Sequence, residues 1–366
     1  MSKPTGWQVF IDAIEREPPE RQASRFAGLA LQMLGHGDRD GAVTQALRAR
    51  TLASRHGAED SAVVARALRA LTEGYHVSIS TDPDRIAAWQ RALAARIRPG
   101  MLVLEIGTGS GILAMLAARS GADVVSCDKD RIVAAVAQHV VAANGLAGRV
   151  KVIAKPIETL RIGQDLPRPA DVLLLDLFGN WLFNFMPFEA IAAARPLLRD
   201  NAVAMPMEVS LHAALADFPR WKRLVPGELA GFDLRGLAAI GSNRATLHDQ
   251  LDISLRSAPE KLLQVDLAGN LPAREGSIAR SLASEGGPVN GVAVWIRLTL
   301  APGCVLEPRP GAAPRGFYAR ANFYAFAAEL ATKPGDKITV RFEWQDKDLR
   351  VAIQPLPRES AAANAG

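Results

Sequence analysis

The sequence has few cysteines and no long apolar or basic run, and each absence excludes a class of protein. Its 366 residues include only Cys127 and Cys304, too few for a disulfide framework or a four-thiolate metal site. We therefore predict that both cysteines are structural and that no metal is bound. No stretch approaches the roughly 20 apolar residues of a membrane-spanning helix, so a membrane partner is not expected. The arginines behind the net charge of +5 are scattered, which disfavours a nucleic-acid partner.

The composition is that of a globular protein, with 49% hydrophobic and 22% charged residues. The first twenty residues contain acidic side chains where the apolar core of a secretory signal would stand, and we therefore expect a cytoplasmic protein. The length is sufficient for two domains and a smaller helical part.

Three patterns follow one another along the chain. Residues 1–74 carry apolar side chains at helical spacing, which predicts three or four helices as a plain extension rather than a degenerate repeat. In residues 75–205 short apolar runs such as MLVLEI and ADVLLLDLF alternate with helical stretches, which is typical of a doubly wound parallel sheet. Alternating strands in residues 206–356 predict a mostly antiparallel domain, and residues 357–366 a disordered tail.

The end of the first predicted strand has the pattern of a nucleotide-type site. Gly107, Gly109 and Gly111 in VLEIGTGSGIL would let backbone amides approach a ligand. The next strand ends in Asp128, about 20 residues beyond the loop, where a carboxylate can accept hydrogen bonds from the ribose of NAD or of S-adenosylmethionine. Glu105 stands just before the first glycine and would repel the pyrophosphate of a dinucleotide. The pattern therefore favours S-adenosylmethionine.

With these residues in place, the chain from about 70 to 355 resembles the protein arginine N-methyltransferase family. The segment HVSISTDPDRIAAW is similar to the family's stretch from a cofactor-covering His to an Arg that pairs with the cofactor carboxylate, which implies these roles for His76 and Arg85. The segment GELAGFDLRGL resembles the family's Gly-Phe-Asp signature. The predicted cofactor-binding residues are His76, Arg85, Glu105, Gly107, Gly109, Gly111, Asp128, Lys129 and Glu158, the last as acceptor for the adenine amino group.

The resemblance also implies a fold, an assembly and a partner. The fold is of the α/β class: a Rossmann-like methyltransferase domain, then an antiparallel β-barrel-like domain, with the N-terminal helices as an extension. The family dimerises through a helical arm, which implies a homodimer, although the matching stretch after Leu237 is short. A protein or peptide substrate is implied as well.

The segment that should hold a guanidinium departs from the family pattern. A guanidinium stays protonated, so two carboxylates are expected to bind it. In LLLDLFGNWLFNFMP, Asp176 fills the first acidic position and Trp181 or a neutral neighbour the second. We predict Asp176 and Trp181 as the catalytic residues, Asp176 orienting or partly deprotonating the acceptor and Trp181 forming an aromatic wall with Phe188 and Tyr318. Glu208 is a candidate for the missing acid.

The family's Thr-His-Trp loop is also missing, and residues 316–318, Gly-Phe-Tyr, stand in its place. Three functions fit these observations: N-methylation of arginine in a protein or peptide, methyl transfer to a different nucleophile of a peptide or small metabolite, and a non-catalytic binding module. The extent of the resemblance favours the first function. The incomplete acidic pair favours the second.

Overall fold

The structure is a computed structural model, and it describes most of the chain. The described residues are 6–57, 61–179, 181–183, 186–221, 227–234, 237, 243–247, 252–311, 321–345 and 348–353. The predicted tail and the residues that replace the Thr-His-Trp loop, Tyr318 among them, therefore lie outside the described part.

The described N-terminal part is a helical bundle, as its apolar spacing predicts. Its helices are α1 (Gln8–Glu15), α2 (Pro19–Gly35), α3 (Arg39–Arg55) and α4 (Ala62–Leu71). Alanines with no exposed surface, among them Ala30 on α2 and Ala46 on α3, let the helices approach closely. Asp38 begins α3 because its side chain accepts a hydrogen bond from the amide of Gly41, 2.9 Å away.

The central part is a parallel sheet whose strands read as buried apolar runs. Its strands are β1 (Leu102–Ile106), β2 (Asp123–Cys127), β3 (Val150–Ile153), β4 (Ala170–Leu175) and β5 (Leu198–Met205). They lie in the order β3-β2-β1-β4-β5, and every pairing is parallel. The helices α5 (Tyr75–Ser80) and α6 (Pro83–Arg96) precede the sheet, and α7 (Ile112–Arg119), α8 (Arg131–Ala143) and α9 (Pro187–Ala194) connect its strands. The order of strands reverses at β1, the position where sheets of this type bind ligands beyond their carboxyl ends.

The C-terminal part is antiparallel. Its strands are β6 (Glu208–Asp217), β7 (Glu228–Leu229), β8 (Phe232–Asp233), β9 (Arg244–Leu247), β10 (Ser254–Leu255), β11 (Glu260–Asp266), β12 (Glu275–Ala301), β13 (Cys304–Leu306), β14 (Ala321–Gln345) and β15 (Asp348–Ile353). The larger sheet runs β10-β6-β12-β14-β15, and β7 pairs with β8 at the predicted Gly-Phe-Asp signature. The predicted fold class is thus confirmed, while the domain limits at 74/75 and 205/206 stay predictions. Among the described helices, none is both long and apolar enough to cross a bilayer.

The helical bundle docks on α8, the helix that follows β2. Ile132 of α8 is 1% exposed and belongs to the apolar cluster of the bundle rather than to that of the sheet. The Arg50 side chain donates from Nη1 to the carbonyl oxygen of Ala135, 2.9 Å away. The bundle is therefore joined to the central part close to the carboxyl end of β2.

Replacing Ile132 by Ala should lower the free energy of unfolding by about 2–5 kcal/mol, because the substitution leaves a cavity in the bundle contact. Urea denaturation measures the change. Val136→Ala, on the same helix but only partly buried, is the matched control and should cost less. Equal losses for the two variants would contradict the role of Ile132 as the anchor of the bundle.

Candidate active site

One large cavity lies at the carboxyl ends of β1, β2 and β4. Its volume of about 1030 Å³ is at the upper end of small-molecule sites, which span about 300–1,000 Å³. All of the predicted cofactor residues except Gly111 line it, together with Asp176. The cavity can therefore hold a nucleoside cofactor beside an acceptor group.

The glycine loop between β1 and α7 turns back over the end of β2. Gly107 has a φ of +80°, and its amide donates to the carbonyl oxygen of Cys127 at 2.9 Å. A Cβ at this position would lie 2.6 Å from Leu177 Cδ2, so a side chain would be strained and crowded there. Gly111, also at φ +80°, is the N-cap residue of α7. It shapes the loop without facing the cavity.

Asp128 is held in the cavity wall by backbone amides. Its Oδ1 accepts from the amide of Asp130 at 2.9 Å, and its Oδ2 accepts from the amide of Gly109 at 3.3 Å. Burial raises the pKa of the Asp128 carboxyl, and these two hydrogen bonds oppose the rise. The side chain is thus fixed beside the glycine loop, where hydroxyl groups of a ligand can reach it. Lys129 and Glu158, which is exposed, stand further out on the same wall.

Helix α5 is tied to the glycine loop. Ser80 Oγ lies 2.6 Å from the carbonyl oxygen of His76 and 2.8 Å from Ser110 Oγ in the loop. His76 lines the cavity and is close enough to Asp128 to lower the pKa of that carboxyl. The segment expected to cover a cofactor is therefore connected to the loop expected to bind it.

Glu105 is buried beneath the loop, with 1% of its surface exposed. Strand pairing sets it opposite Ser126, whose hydroxyl donates to Glu105 Oε2 and lies 2.6 Å from Thr108 Oγ1. Burial raises the pKa of the Glu105 carboxyl to about 8, and the Ser126 hydrogen bond opposes that rise. Burial likewise raises the pKa of the neighbouring Cys127 thiol to about 12.

Asp176 is bound to the arginine that was predicted to hold the cofactor. Its Oδ2 accepts from Arg85 Nε at 2.7 Å and Nη2 at 2.6 Å, and both side chains are nearly buried. The indole Nε1 of Trp89 donates to the same oxygen at 3.0 Å. Sequence reasoning missed this contact of Trp89. The signal was its position four residues after Arg85, which puts both side chains on one face of α6.

The structure does not bring Trp181 to the cavity. Trp181 is 1% exposed and packs against Phe183, with ring centroids 5.4 Å apart. Its Nε1 has no hydrogen-bond partner among the described residues. Phe188 also lies in the core, because α9 turns this apolar side chain inward. Neither residue is in the cavity lining, so the described residues do not form the expected aromatic wall.

A different acid lines the cavity where a second carboxylate was expected. Glu208 accepts from Gln264 and stands outside the lining, whereas Glu189, in the first turn of α9, belongs to it. Glu189 Oε1 accepts from Arg274 Nε at 2.7 Å, and its buried Oε2 has no hydrogen-bond partner in the described part of the chain. Sequence reasoning missed Glu189. Pro187 at the start of α9, which fixes the helix register, was the available signal.

The helical bundle also contributes to the cavity. Arg39 at the start of α3 and Leu71 at the end of α4 line it, and Arg39 Nη2 donates to the carbonyl oxygen of Leu71 at 2.7 Å. Thr246 on β9 adds a side chain from the antiparallel part. The cavity therefore lies where the bundle, the parallel sheet and the antiparallel sheet meet.

Comparison with known proteins identifies the family. An arginine N(omega)-methyltransferase of Streptomyces achromogenes subsp. streptozoticus is 30% identical over 301 residues, which are 80% of this chain and 82% of that protein. The chain belongs to the arginine N-methyltransferases. It is accordingly a methyltransferase of the S-adenosylmethionine-dependent class. A family model for ribosomal protein L11 methyltransferase (PrmA) matches residues 90–194 of this enzyme.

Other relatives of this arginine methyltransferase match a shorter part. Protein arginine N-methyltransferase 7 of Anopheles gambiae is 35% identical over 129 residues, which are 33% of this chain and 19% of that protein. Among solved structures, the Trypanosoma brucei PRMT1 enzyme–prozyme complex has a TM-score of 0.66 at 19% identity, covering 76% of this chain and 91% of that one. Arabidopsis thaliana protein arginine methyltransferase 10 has a TM-score of 0.61 at 19% identity, covering 75% and 89%. These two structures show a shared fold.

The Glu105→Gln variant should change how stability depends on pH. A pKa raised from 4.5 to about 8 means that the folded enzyme keeps a proton that the unfolded chain releases between these values. The stabilisation is complete below pH 4.5 and is lost as the pH rises to 8, by at most about 5 kcal/mol. Because Gln cannot titrate, the free energy of unfolding of the variant, measured by denaturation at pH 5 and at pH 8, should fall less between these two values than that of the unaltered enzyme. Glu260→Gln, at an exposed site, is the control and should lose as much free energy of unfolding between pH 5 and pH 8 as the unaltered enzyme. The same loss in Glu105→Gln would contradict the raised pKa of Glu105.

Proposed function

We propose that this enzyme transfers a methyl group from S-adenosylmethionine to a guanidino nitrogen of arginine in a protein or peptide. The observation that carries the proposal is one cavity with two kinds of carboxylate: Asp128, held by amides beside the glycine loop, and Asp176, buried at the end of β4. The first suits the hydroxyl groups of a nucleoside and the second suits a cation. The family and the shared fold support the same assignment.

The residues around the loop fit such a cofactor. Asp128 would accept from the ribose hydroxyls and Glu158 from the adenine amino group, while His76 would cover the nucleoside with Lys129 beside it. Gly107 and Gly109 would leave room for the cofactor against the backbone. The cofactor supplies a methyl group on a positively charged sulfonium. No group of described residues has the composition of a metal site, and methyl transfer from a sulfonium does not need one.

The amino-acid end of the cofactor would lie near Arg85 and Glu105. Arg85 carries the positive charge that a carboxylate needs, and Glu105 can accept from an ammonium group once it is ionised. Because Arg85 already binds Asp176, a cofactor carboxylate would share this guanidinium with it. The donor side and the acceptor side of the cavity would thus meet at one side chain.

The lining of the cavity as a whole favours a cation. Among the described lining residues seven are acidic, whereas four are Lys or Arg, so the cavity attracts positive charge. Asp176 would orient the guanidinium for in-line attack and take up part of its proton, which makes alignment the main contribution of the enzyme. Glu189 is a second acidic side chain on this lining.

A second candidate acceptor is arginine outside a protein. The relative that matches 80% of this chain is named for arginine, whereas the relatives named for protein arginine match about a third of it. The incomplete acidic pair in the loop after β4 also fits a changed acceptor. A homodimer and a cytoplasmic location are further proposals, and the family pattern supports the first.

Asp128→Ala should weaken the affinity for S-adenosylmethionine and its demethylated product by about 10- to 100-fold. The loss corresponds to hydrogen bonds to a charged group, each about 1.5–3 kcal/mol. Titration calorimetry measures it. Asp123→Ala removes an exposed acid at the other end of the same strand and should leave the affinity unchanged. Undiminished binding by Asp128→Ala would show that the nucleoside is held elsewhere.

Incubation with methyl-labelled cofactor tests the acceptor. We expect label on the guanidino nitrogen of a peptide with a single arginine, and none on a matched peptide with lysine. Asp176→Asn should reduce kcat about 100-fold or more, since it removes the charge that orients and deprotonates the acceptor. Mass spectrometry after acid hydrolysis locates the label. Label on free arginine alone would support the second candidate, and label on neither would reject an arginine acceptor.

A further inference from the structure

One oxygen of the Asp176 carboxylate accepts hydrogen bonds from two different side chains. Arg85 donates to Oδ2 from Nε and Nη2, and Trp89 donates to the same atom from Nε1. Both donors come from α6, one helical turn apart. Two side chains of this helix therefore help to fix the position of the carboxylate.

The two donor side chains differ in whether a ligand in the cavity can compete with Asp176 for their hydrogen bonds. The Arg85 guanidinium is charged and lines the cavity, where a cofactor carboxylate would also bind it. Trp89 has no exposed surface and is outside the cavity lining, so no ligand in the cavity reaches its N–H. Its indole also has a single donor, which cannot be shared as a guanidinium can.

The helix fixes the direction of both donors. Asp82 caps α6 by accepting from the amide of Arg85 at 3.1 Å, and Trp89 packs with Ala92 and Leu93 in the core of the parallel sheet. A ring held in this way cannot turn its N–H elsewhere without disturbing the packing. Trp89 therefore supplies a donor of fixed direction, whereas the Arg85 side chain is long and its donors are divided, Nη1 donating to the carbonyl oxygen of Ile79 at 3.2 Å.

We propose that Trp89 is a positioning residue that keeps the Asp176 carboxylate oriented towards the acceptor while Arg85 engages the cofactor carboxylate. This inference rests on the proposed roles of Asp176 and Arg85. It assigns to the Trp89 N–H an effect on the acceptor that is separate from any effect on the cofactor. A ring that only fills space would not produce such a separation.

The test is the Trp89→Phe variant, which keeps an aromatic ring and removes the N–H. The matched control is Trp295→Phe: Trp295 is equally buried and donates from Nε1 to Glu307 Oε1, also at 3.0 Å, but it lies outside the cavity lining. Thermal unfolding compares the two variants for stability. Calorimetry gives the affinity for the demethylated cofactor, and then the affinity of the cofactor-loaded enzyme for an arginine peptide.

For Trp89→Phe we expect cofactor affinity within about twofold of the unaltered enzyme, acceptor affinity reduced about tenfold, and kcat reduced at least as much. Trp295→Phe should change none of the three. In an Asp176→Asn background, Trp89→Phe should have no further effect on acceptor binding, because it acts through Asp176. Free arginine replaces the peptide if the labelling assay selects it.

Three results would overturn the proposal: unchanged acceptor affinity and kcat in Trp89→Phe, equal losses for cofactor and acceptor, or the same loss in the Asp176→Asn background. Failure of the proposed function has a different signature. In that case Asp176→Asn itself would retain activity and acceptor binding, whatever Trp89→Phe does.

Discussion

The buried contact between Arg85 and Asp176 is the interaction on which the rest of the site depends. Each charge would be costly to bury alone, and removal of either partner would leave the other uncompensated. The pair joins α6, which precedes the parallel sheet, to the end of β4, its fourth strand in sequence. The cavity thus has its floor fixed before any ligand binds, and the side chains that would meet donor and acceptor are already in contact.

Much of the fold, and the placement of the glycine loop beside Asp128, could be predicted from local sequence pattern. Buried parallel strands are continuous apolar runs, a loop that must pass close to a ligand needs glycine, and an acid at the end of the next strand necessarily lies beside that loop. Asp128 illustrates this, because its contact with Gly109 follows from two adjacent parallel strands. These features depend only on which strands lie side by side in the sheet, and the strand order fixes that.

The part of the cavity around Asp176 could not be predicted in the same way, because it depends on contacts between distant segments. Arg85 and Asp176 are 91 residues apart, and nothing in either segment alone indicates their pairing. Trp181 was expected at the acceptor because it occupies a position of the family loop, yet its ring is buried in the core beside Phe183. Glu189 reaches the cavity because α9 begins at Pro187, and the register of that helix decides which side chains face inward.

Electrostatics gives the cavity a further asymmetry. The lining carries more acids than bases, but burial raises the pKa of Glu105 to about 8, so at neutral pH this carboxyl is largely protonated and adds little negative charge. A cationic ligand would favour the ionised form of Glu105, and the ionised form would bind the cation more tightly by the same free energy. The first cation to bind therefore changes the charge that the second one meets. Arg85 lowers the pKa of the Glu105 carboxyl and contacts Asp176 directly, so this one side chain adjoins both carboxyls.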